Sequence, residues 1–314
     1  MSPFKIQVLV GAFILFILGS VMLTGSMAER SAATLRNPAK GLVNTAQFLG
    51  EIGRDDTGSS LLRPLAVAVD PNSHQVYVTD TGRDRVLVFK TSGQYLRSMG
   101  HILDYPNALA VDKEGRVYIG EFRAGRIQVF EQDGSLLYVW DSEHVGTSLS
   151  PLALAVKGES LYIANRTGEV LRMGLDGKLQ FKFGSPGNLP GNLAYPNGIA
   201  VRGDSIIVAD SGNARLQIFN LQGELVKVIS QQQFEVSVPR GISVDDKGSI
   251  YIADTMGNRV LKLNEYYRPQ WELGQDGLEG DKLSFPNGLA VAGNRLYVTD
   301  RENGRVVVYA LPES

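Results

Sequence analysis

Carboxylates and guanidinium groups recur at a fixed spacing in this chain of 314 residues. In five places an acid ends an apolar run and an arginine follows five positions later. The pairs are Asp80 with Arg85, Glu121 with Arg126, Asp210 with Arg215, Asp254 with Arg259, and Asp300 with Arg305. A sixth place has Asn165 and Glu169, so both partners change together, which indicates that they interact. Because a carboxylate can bind turn amides and also accept two hydrogen bonds from a guanidinium, we expect a structural clamp and not a catalytic pair.

A second group of residues surrounds six prolines, Pro64, Pro106, Pro151, Pro196, Pro239 and Pro286. Every second proline lies between an aromatic residue and an asparagine. These flanking residues are Tyr105 and Asn107, Tyr195 and Asn197, and Phe285 and Asn287. Arg240 follows Pro239. A ring of these seven residues could bind a peptide terminus, a carboxylate or ordered water. The alternative is that each asparagine bonds the turn backbone and each aromatic side chain packs between repeats.

The elements that position these residues repeat with the prolines, at spacings of 42, 45, 45, 43 and 47 residues. Each unit holds runs of strand length bounded by turn residues, as in 65–69, 76–80, 86–90 and 95–100. A period of about 40–50 residues with four short strands per repeat is typical of a β-propeller. The last unit lacks a fourth run, and 47–53 reads like the fourth runs elsewhere. We therefore predict six blades closed by this N-terminal strand, which removes an exposed sheet edge.

The unit that starts at Pro239 reads PRGISVDDKGSIYIADTMGNRVLKL and resembles the NHL repeat. The resemblance recurs at 196–219 and 286–309 and extends more loosely over roughly residues 45–311. It implies an all-β, six-bladed NHL-type propeller, in a family of binding platforms, scaffolds and a few enzymes.

The resemblance also suggests an alternative function, because two types of enzyme have related propellers. The Pro-Asn-Gly at Asn197 and Asn287 is similar to the asparagine metal ligand of gluconolactonase-type propellers, but those enzymes also need acids in the channel. Here no acid follows an opening proline, and Arg240 would oppose a cation. The amidating lyase of the NHL family holds zinc with three histidines. His74, His101 and His144 are expected on two different faces, so they cannot converge on one ion. We predict no catalytic residue, no metal ligand and no cofactor, with a divalent cation in the channel as the alternative.

The N-terminal region contains 18 residues without a charge, 6–23. As a helix they would span about 27 Å, close to the hydrocarbon core of about 30 Å. We expect a membrane anchor in residues 1–28, a linker in 29–45 and the propeller in 46–314. The alternative is a signal peptide cut after Ala28. A hydrophobic segment ahead of a large domain is the usual export layout, so the propeller is expected outside the cytoplasm, which is the periplasm if the organism is a Gram-negative bacterium.

The strand directions of a propeller blade divide its loops between two faces. The turns between second and third strands share one face with the connectors that lead from each blade to the next. We call this the long-loop face, since its connectors are 54–63, 142–150, 185–195, 231–238 and 275–285. Both ends of the domain should lie on the opposite, tether face. Variable loops on a rigid scaffold are where binding usually resides.

These observations favour a non-catalytic protein-binding or assembly module, tethered through residues 6–23 and serving as an accessory subunit of a membrane complex. Its protein partner would bind the long-loop face. The net charge of −2, with both signs interspersed, argues against a nucleic-acid partner. The alternatives are a metal-dependent hydrolase or lyase with its site in the channel and a secreted ligand sensor.

Overall fold

A computed structural model describes residues 46–100, 103–274 and 281–312. These residues form six antiparallel sheets of four strands each. Blades I to VI are named in the order of their opening prolines. Blade I contains β2 (Val67–Val69), β3 (Val76–Asp80), β4 (Arg85–Phe89) and β5 (Tyr95–Met99), and blade II contains β6 (Pro106–Val111), β7 (Val117–Glu121), β8 (Arg126–Phe130) and β9 (Leu136–Asp141).

The next two blades have the same order of four strands. Blade III contains β10 (Pro151–Lys157), β11 (Ser160–Asn165), β12 (Glu169–Gly174) and β13 (Leu179–Phe183). Blade IV contains β14 (Pro196–Arg202), β15 (Ser205–Asp210), β16 (Arg215–Asn220) and β17 (Leu225–Ile229). In both blades the second and third strands are the most buried, because each sheet packs between two others.

Blade V contains β18 (Pro239–Val244), β19 (Ile250–Asp254), β20 (Arg259–Leu263) and β21 (Pro269–Leu273). Blade VI contains β22 (Pro286–Ala292), β23 (Arg295–Asp300), β24 (Arg305–Ala310) and β1 (Gln47–Ile52). β1 pairs with β24 in antiparallel register, from Gln47 opposite Ala310 to Ile52 opposite Val306. The predicted closure by an N-terminal strand is therefore confirmed.

The hydrophobic core lies between the blades. Each of the six interfaces between adjacent sheets holds one cluster of buried apolar side chains, including the interface that joins blade VI to blade I. Trp140 is the largest of the fully buried side chains and packs between blades II and III. Because each cluster takes residues from two sheets, a blade cannot bury its core without its neighbours.

The structure differs from the sequence prediction in two local features. In the described residues, two connectors contain one-turn α-helices, α1 (Ser142–Val145) and α2 (Gln231–Phe234), where no helix was predicted. Both begin at a capping residue, Asp141 or Ser230, and are too short to show helical periodicity. The first strand of blade I begins at Val67 and not at residue 65. The hydroxyl of Thr79 accepts hydrogen bonds from the backbone N–H groups of Leu65 and Ala66.

In five of the six blades, the buried acid at the end of the second strand forms the predicted clamp. Asp210 accepts a hydrogen bond from Nε of Arg215 at 2.7 Å, and Asp254 accepts one from Nε of Arg259 at 3.1 Å. The equivalent ion pairs occur at Asp80, Glu121 and Asp300. In blade III the link is indirect, since Asn165 donates to the Thr167 hydroxyl, which bonds Glu169. The structural interpretation of these pairs is correct.

The clamp also fixes the connector that leads into its own blade. Each acid, or Asn165 in blade III, accepts a hydrogen bond from a backbone N–H one or two residues before the opening proline. Backbone bonds then join the connector to the turn between the second and third strands, as from Gly212 N–H to the Ala194 carbonyl at 2.8 Å. These turns and connectors therefore lie together on the long-loop face.

The predicted anchor at 6–23, the alternative cleavage site at 26–28 and the linker at 29–45 lie outside the described residues. Within 46–100, 103–274 and 281–312 we find no helix with the length and apolar character needed to cross a membrane.

Removing one clamp acid should destabilise the propeller strongly. Asp210 is fully buried and holds Arg215, Asn213, Gln217 and the connector N–H of Ala194. We expect Asp210→Ala to lower the free energy of unfolding by about 3–5 kcal/mol, because a buried guanidinium loses its counter-charge. Urea denaturation checks this, with Asp204→Ala as the control. Asp204 lies in an exposed turn of the same blade, where a substitution changes stability by only about 0.5 kcal/mol. Equal losses for the two variants would disprove the clamp.

Candidate functional site

The first strands of the six blades surround a central cavity of about 60 Å³. Its lining combines apolar side chains with polar backbone groups of these strands. The polar side chains in the lining are Asn107, Asn197 and Asn287. The residue after each opening proline forms a ring at the long-loop end, and its members are Leu65, Asn107, Leu152, Asn197, Arg240 and Asn287. The structure therefore brings together the three predicted asparagines and places Arg240 at the equivalent position of blade V.

In blades IV, V and VI the inner strands approach one another closely, because a glycine follows each polar residue of the ring. A Cβ atom on Gly198 would lie 1.8 Å from the carbonyl oxygen of Arg240, and one on Gly241 would lie 2.2 Å from that of Asn287. The backbones of β14, β18 and β22 approach closely only because these positions have no side chain. Asn197, Arg240 and Asn287 consequently stand on three consecutive, closely spaced strands.

The three asparagines make different contacts despite their equivalent positions. Nδ2 of Asn197 donates to the Tyr195 carbonyl at 2.8 Å, which is the turn bond of the structural alternative. Nδ2 of Asn107 donates to the Pro151 carbonyl of the next blade at 3.0 Å, while its buried Oδ1 has no partner in the described residues. Asn287 is 8% exposed, and its Nδ2 is buried without a partner there. Two of the three side chains thus keep a polar atom free for a ligand.

Arg240 is a half-buried cation at the mouth of the cavity. Within the described residues its Nε is buried without a hydrogen-bond partner, and no carboxylate forms an ion pair with it. Burial lowers the pKa of the Arg240 guanidinium, and the like charge of Arg301 lowers it further. Tyr105, across the ring, raises this pKa. The group nevertheless keeps its positive charge, since a guanidinium is not deprotonated in proteins. The mouth therefore has a positive charge that no carboxylate of the described residues compensates.

Arginines stacked on aromatic rings surround this mouth. The guanidinium of Arg123 lies 4.7 Å from the ring centre of Tyr105, and that of Arg301 lies 5.1 Å from the ring centre of Phe285. Tyr105, Tyr195 and Phe285 all have positive φ angles, 57°, 49° and 53°, which side chains rarely adopt. A neighbouring turn holds two of them, because Asp84 accepts from the Tyr105 N–H and Asn258 from the Phe285 N–H. Tyr195 is exposed.

Sequence reasoning missed the residue directly after each clamp acid. In blades I, IV and V it is a hydroxyl residue, and Thr81, Ser211 and Thr255 each donate to the carbonyl of the next opening proline. In blades II, III and VI the same position holds Phe122, Arg166 and Arg301, which stand at the mouth. The division into three small hydroxyl residues and three large side chains is visible in the sequence and would have identified them.

The described residues do not match a divalent cation site. They contain no group of three His, Cys, Asp or Glu side chains that could hold a metal. His74 lies in the β2–β3 turn on the tether face, whereas His144 lies in α1 and stacks on Trp140; His101 is outside the described residues. The cavity offers three amides beside an arginine, and hard cations such as Ca²⁺ favour carboxylates among their oxygen ligands. The site favours an anion.

Comparison with known proteins agrees with this architecture. Three segments match the family model of the NHL repeat, residues 61–89, 193–219 and 283–309. Protein brain tumor of Drosophila melanogaster is 35% identical over 91 residues, which are 28% of this chain and 9% of that protein. NHL repeat-containing protein 3 of Homo sapiens is 26% identical over 264 residues, 80% of this chain and 62% of that protein. The chain spans less than two thirds of the length of either relative.

A solved structure shares the fold at low identity. A gluconolactonase from Xanthomonas campestris aligns with a TM-score of 0.65 and 17% identity, over 85% of this chain and 98% of that one. The fold and the ring define the class of protein, a six-bladed β-propeller with a polar channel mouth. The chain is thus a propeller with three segments that match the NHL repeat, and it is similar to other NHL-repeat proteins.

The close approach of the inner strands has a testable consequence. We expect Gly241→Ala to lower the free energy of unfolding by about 1–3 kcal/mol, because the added methyl group would overlap the Asn287 carbonyl and force β18 and β22 apart. Thermal and urea denaturation measure the change. In an unstrained position, replacing glycine by alanine stabilises a protein by about 0.4–1 kcal/mol. A gain in stability would therefore contradict the close approach.

Proposed function

We propose that this NHL propeller is a non-catalytic protein-binding module that holds its partner on the long-loop face. One observation carries the proposal: this face combines exposed apolar side chains with the uncompensated positive charge at the channel mouth. The exposed side chains are Leu62, Leu189, Tyr195 and Met256. Apolar groups bordered by charged ones are typical of protein interaction sites.

The distribution of arginines supports a protein partner on this face. Arg123 and Arg301 keep their side chains against Tyr105 and Phe285, so little side-chain freedom remains to be lost on binding. Aromatic residues and arginine are the types that contribute most to protein interfaces. The rigid ring of blades holds these groups at fixed positions, as a binding platform requires.

A metal-dependent hydrolase or lyase is the weaker candidate. The fold of the gluconolactonase is shared, but the donors at this channel mouth are amides and a guanidinium. A hydrolytic metal site needs ligands that bind a cation and leave a position open for water. Tight, stoichiometric binding of a divalent ion would favour the enzyme over the binding module.

We also propose that residues 6–23 hold the chain at a membrane, with the propeller outside the cytoplasm as an accessory subunit of a membrane complex. The support is the run of 18 residues without a charge and the large domain that follows it. A secreted form would require cleavage after Ala28.

The partner test compares one residue on each face. Full-length protein is solubilised gently from its own membranes, and its native mass and co-migrating proteins are determined. We expect the chain to migrate with a fixed set of partners.

Met256→Glu should reduce the recovered partner at least tenfold, since a charge is placed in the apolar contact. Tyr266→Glu is the matched control, because Tyr266 is equally exposed but lies in the β20–β21 turn on the tether face. Migration alone, or equal recovery for both variants, would contradict the proposal.

The anchor is tested separately by fractionation. The intact chain should remain in membranes after alkaline carbonate extraction, and mass spectrometry should find Met1 on the mature protein. Deletion of residues 2–23 should release the propeller into the soluble fraction. Recovery of the full-length chain in that fraction, or a mature protein that starts at Glu29, would exclude an anchor.

A further inference from the structure

Three side chains of the ring at the mouth of the central cavity each have a buried polar atom without a partner in the described residues. These atoms are the donors Nε of Arg240 and Nδ2 of Asn287 and the acceptor Oδ1 of Asn107. Buried polar atoms in proteins nearly always pair with protein or ordered water, so three such atoms in one ring point to a binding site for a polar ligand. The set demands a ligand that accepts from two donors and donates to one acceptor.

The charge at this place narrows the ligand to an anion. The clamp arginines Arg85, Arg126, Arg215, Arg259 and Arg305 each face an acid of their own blade. Arg240 has no such partner in the described residues, although its Nε is buried. Burying a cation is costly unless an opposite charge accompanies it. An anion at the mouth would supply that charge.

The positions of the three atoms further restrict the shape of the ligand. Arg240 and Asn287 stand on the adjacent strands β18 and β22, whose backbones touch at Gly241. Asn107 stands on β6, on the opposite side of the six-membered ring. A cavity of about 60 Å³ admits a small group and not a folded segment. The ligand must therefore direct an acceptor towards Arg240 and Asn287 and an N–H towards Asn107. Both groups must lie at the end of a narrow molecule or chain.

The C-terminal residue of a peptide has these groups together, a carboxylate and its own amide N–H. We propose that the ring mouth binds the free C-terminus of a protein partner, with Arg240 and Asn287 donating to the carboxylate and Asn107 accepting from the amide N–H. Tyr105 and Phe285, held by Arg123 and Arg301, would flank the last residues of the peptide. Capture of a terminal carboxylate by a fixed set of donors is a known mode of peptide recognition. This inference deepens the proposed function and rests on it for the identity of the ligand as a protein.

The test uses small probes, so it needs no knowledge of the partner. The full-length protein is titrated by calorimetry and ligand-observed NMR with N-acetylglycine, acetate, N-acetylglycinamide and inorganic phosphate. We expect N-acetylglycine to bind at least tenfold more tightly than acetate, which lacks the N–H, and N-acetylglycinamide not to bind. Binding should also raise the thermal midpoint as the ligand concentration exceeds its Kd. No binding of N-acetylglycine, or acetate or phosphate binding as tightly, would overturn the proposal.

Two variants tie the binding to the mouth. Arg240→Gln should weaken N-acetylglycine binding at least tenfold, since the only charged donor in the set is lost, while the unliganded protein stays folded or becomes more stable. Lys178→Gln is the control for loss of one positive charge, because Lys178 is exposed before β13 on the tether face. It should bind as the wild type does. Unfolding of Arg240→Gln would show a structural role and overturn the proposal, as would unchanged binding.

The two proposals fail separately. If the partner co-migrates and is lost in Met256→Glu but N-acetylglycine does not bind, only the C-terminal carboxylate site is wrong. If N-acetylglycine binds through Arg240 but the chain migrates alone from its membranes, the site stands and the proposed partner interaction is wrong.

Discussion

The rest of the structure depends on the hydrogen bonds made by the buried residue at the end of each second strand. This residue is an acid in five blades and Asn165 in blade III. Asp254, for example, accepts N–H groups from Ser237 and Val238 in the connector and Nε of Arg259 in the third strand. One carboxylate thereby joins three chain segments that are separate in sequence. Since it has no solvent exposure, its charge must be satisfied by these partners, and the geometry of the connector follows from that requirement. The opening proline and the inner strand after it are positioned as a result.

The closure of the ring is a second consequence of the same geometry. Every core cluster lies between two blades, and β1 supplies the outer strand of the last sheet from the beginning of the domain. The chain ends of the propeller are thus joined by a ladder of backbone hydrogen bonds from Gln47 to Ile52. Each sheet therefore depends on both neighbours to bury its apolar side chains. The ring that results is rigid enough to hold polar groups on its inner surface that lack hydrogen-bond partners in the described residues.

The channel mouth is where the regular repeat is broken. Blades I, IV and V use a hydroxyl after the clamp acid to bond the next blade, whereas blades II, III and VI place a phenylalanine or an arginine there. At the ring position, Leu65 and Leu152 are apolar and Arg240 is charged. Such departures from local consistency, with buried polar atoms left unpaired, are expected where a protein binds something else.

The sequence alone determined the strands, the six blades, the clamp pairs and the closing strand, because each is a local pattern of burial and turn residues that repeats with the opening prolines. It also identified the candidate ring of Asn107, Asn197, Arg240 and Asn287 as one set. Only the tertiary structure decided that Asn197 bonds its own turn while Nδ2 of Asn287 has no partner in the described residues. It also decided that, among those residues, Arg240 has no acid partner while Arg301 lies near it. These properties arise between blades, where residues far apart in the chain meet, and hydrogen-bond partners across such distances have no signature in a local sequence pattern.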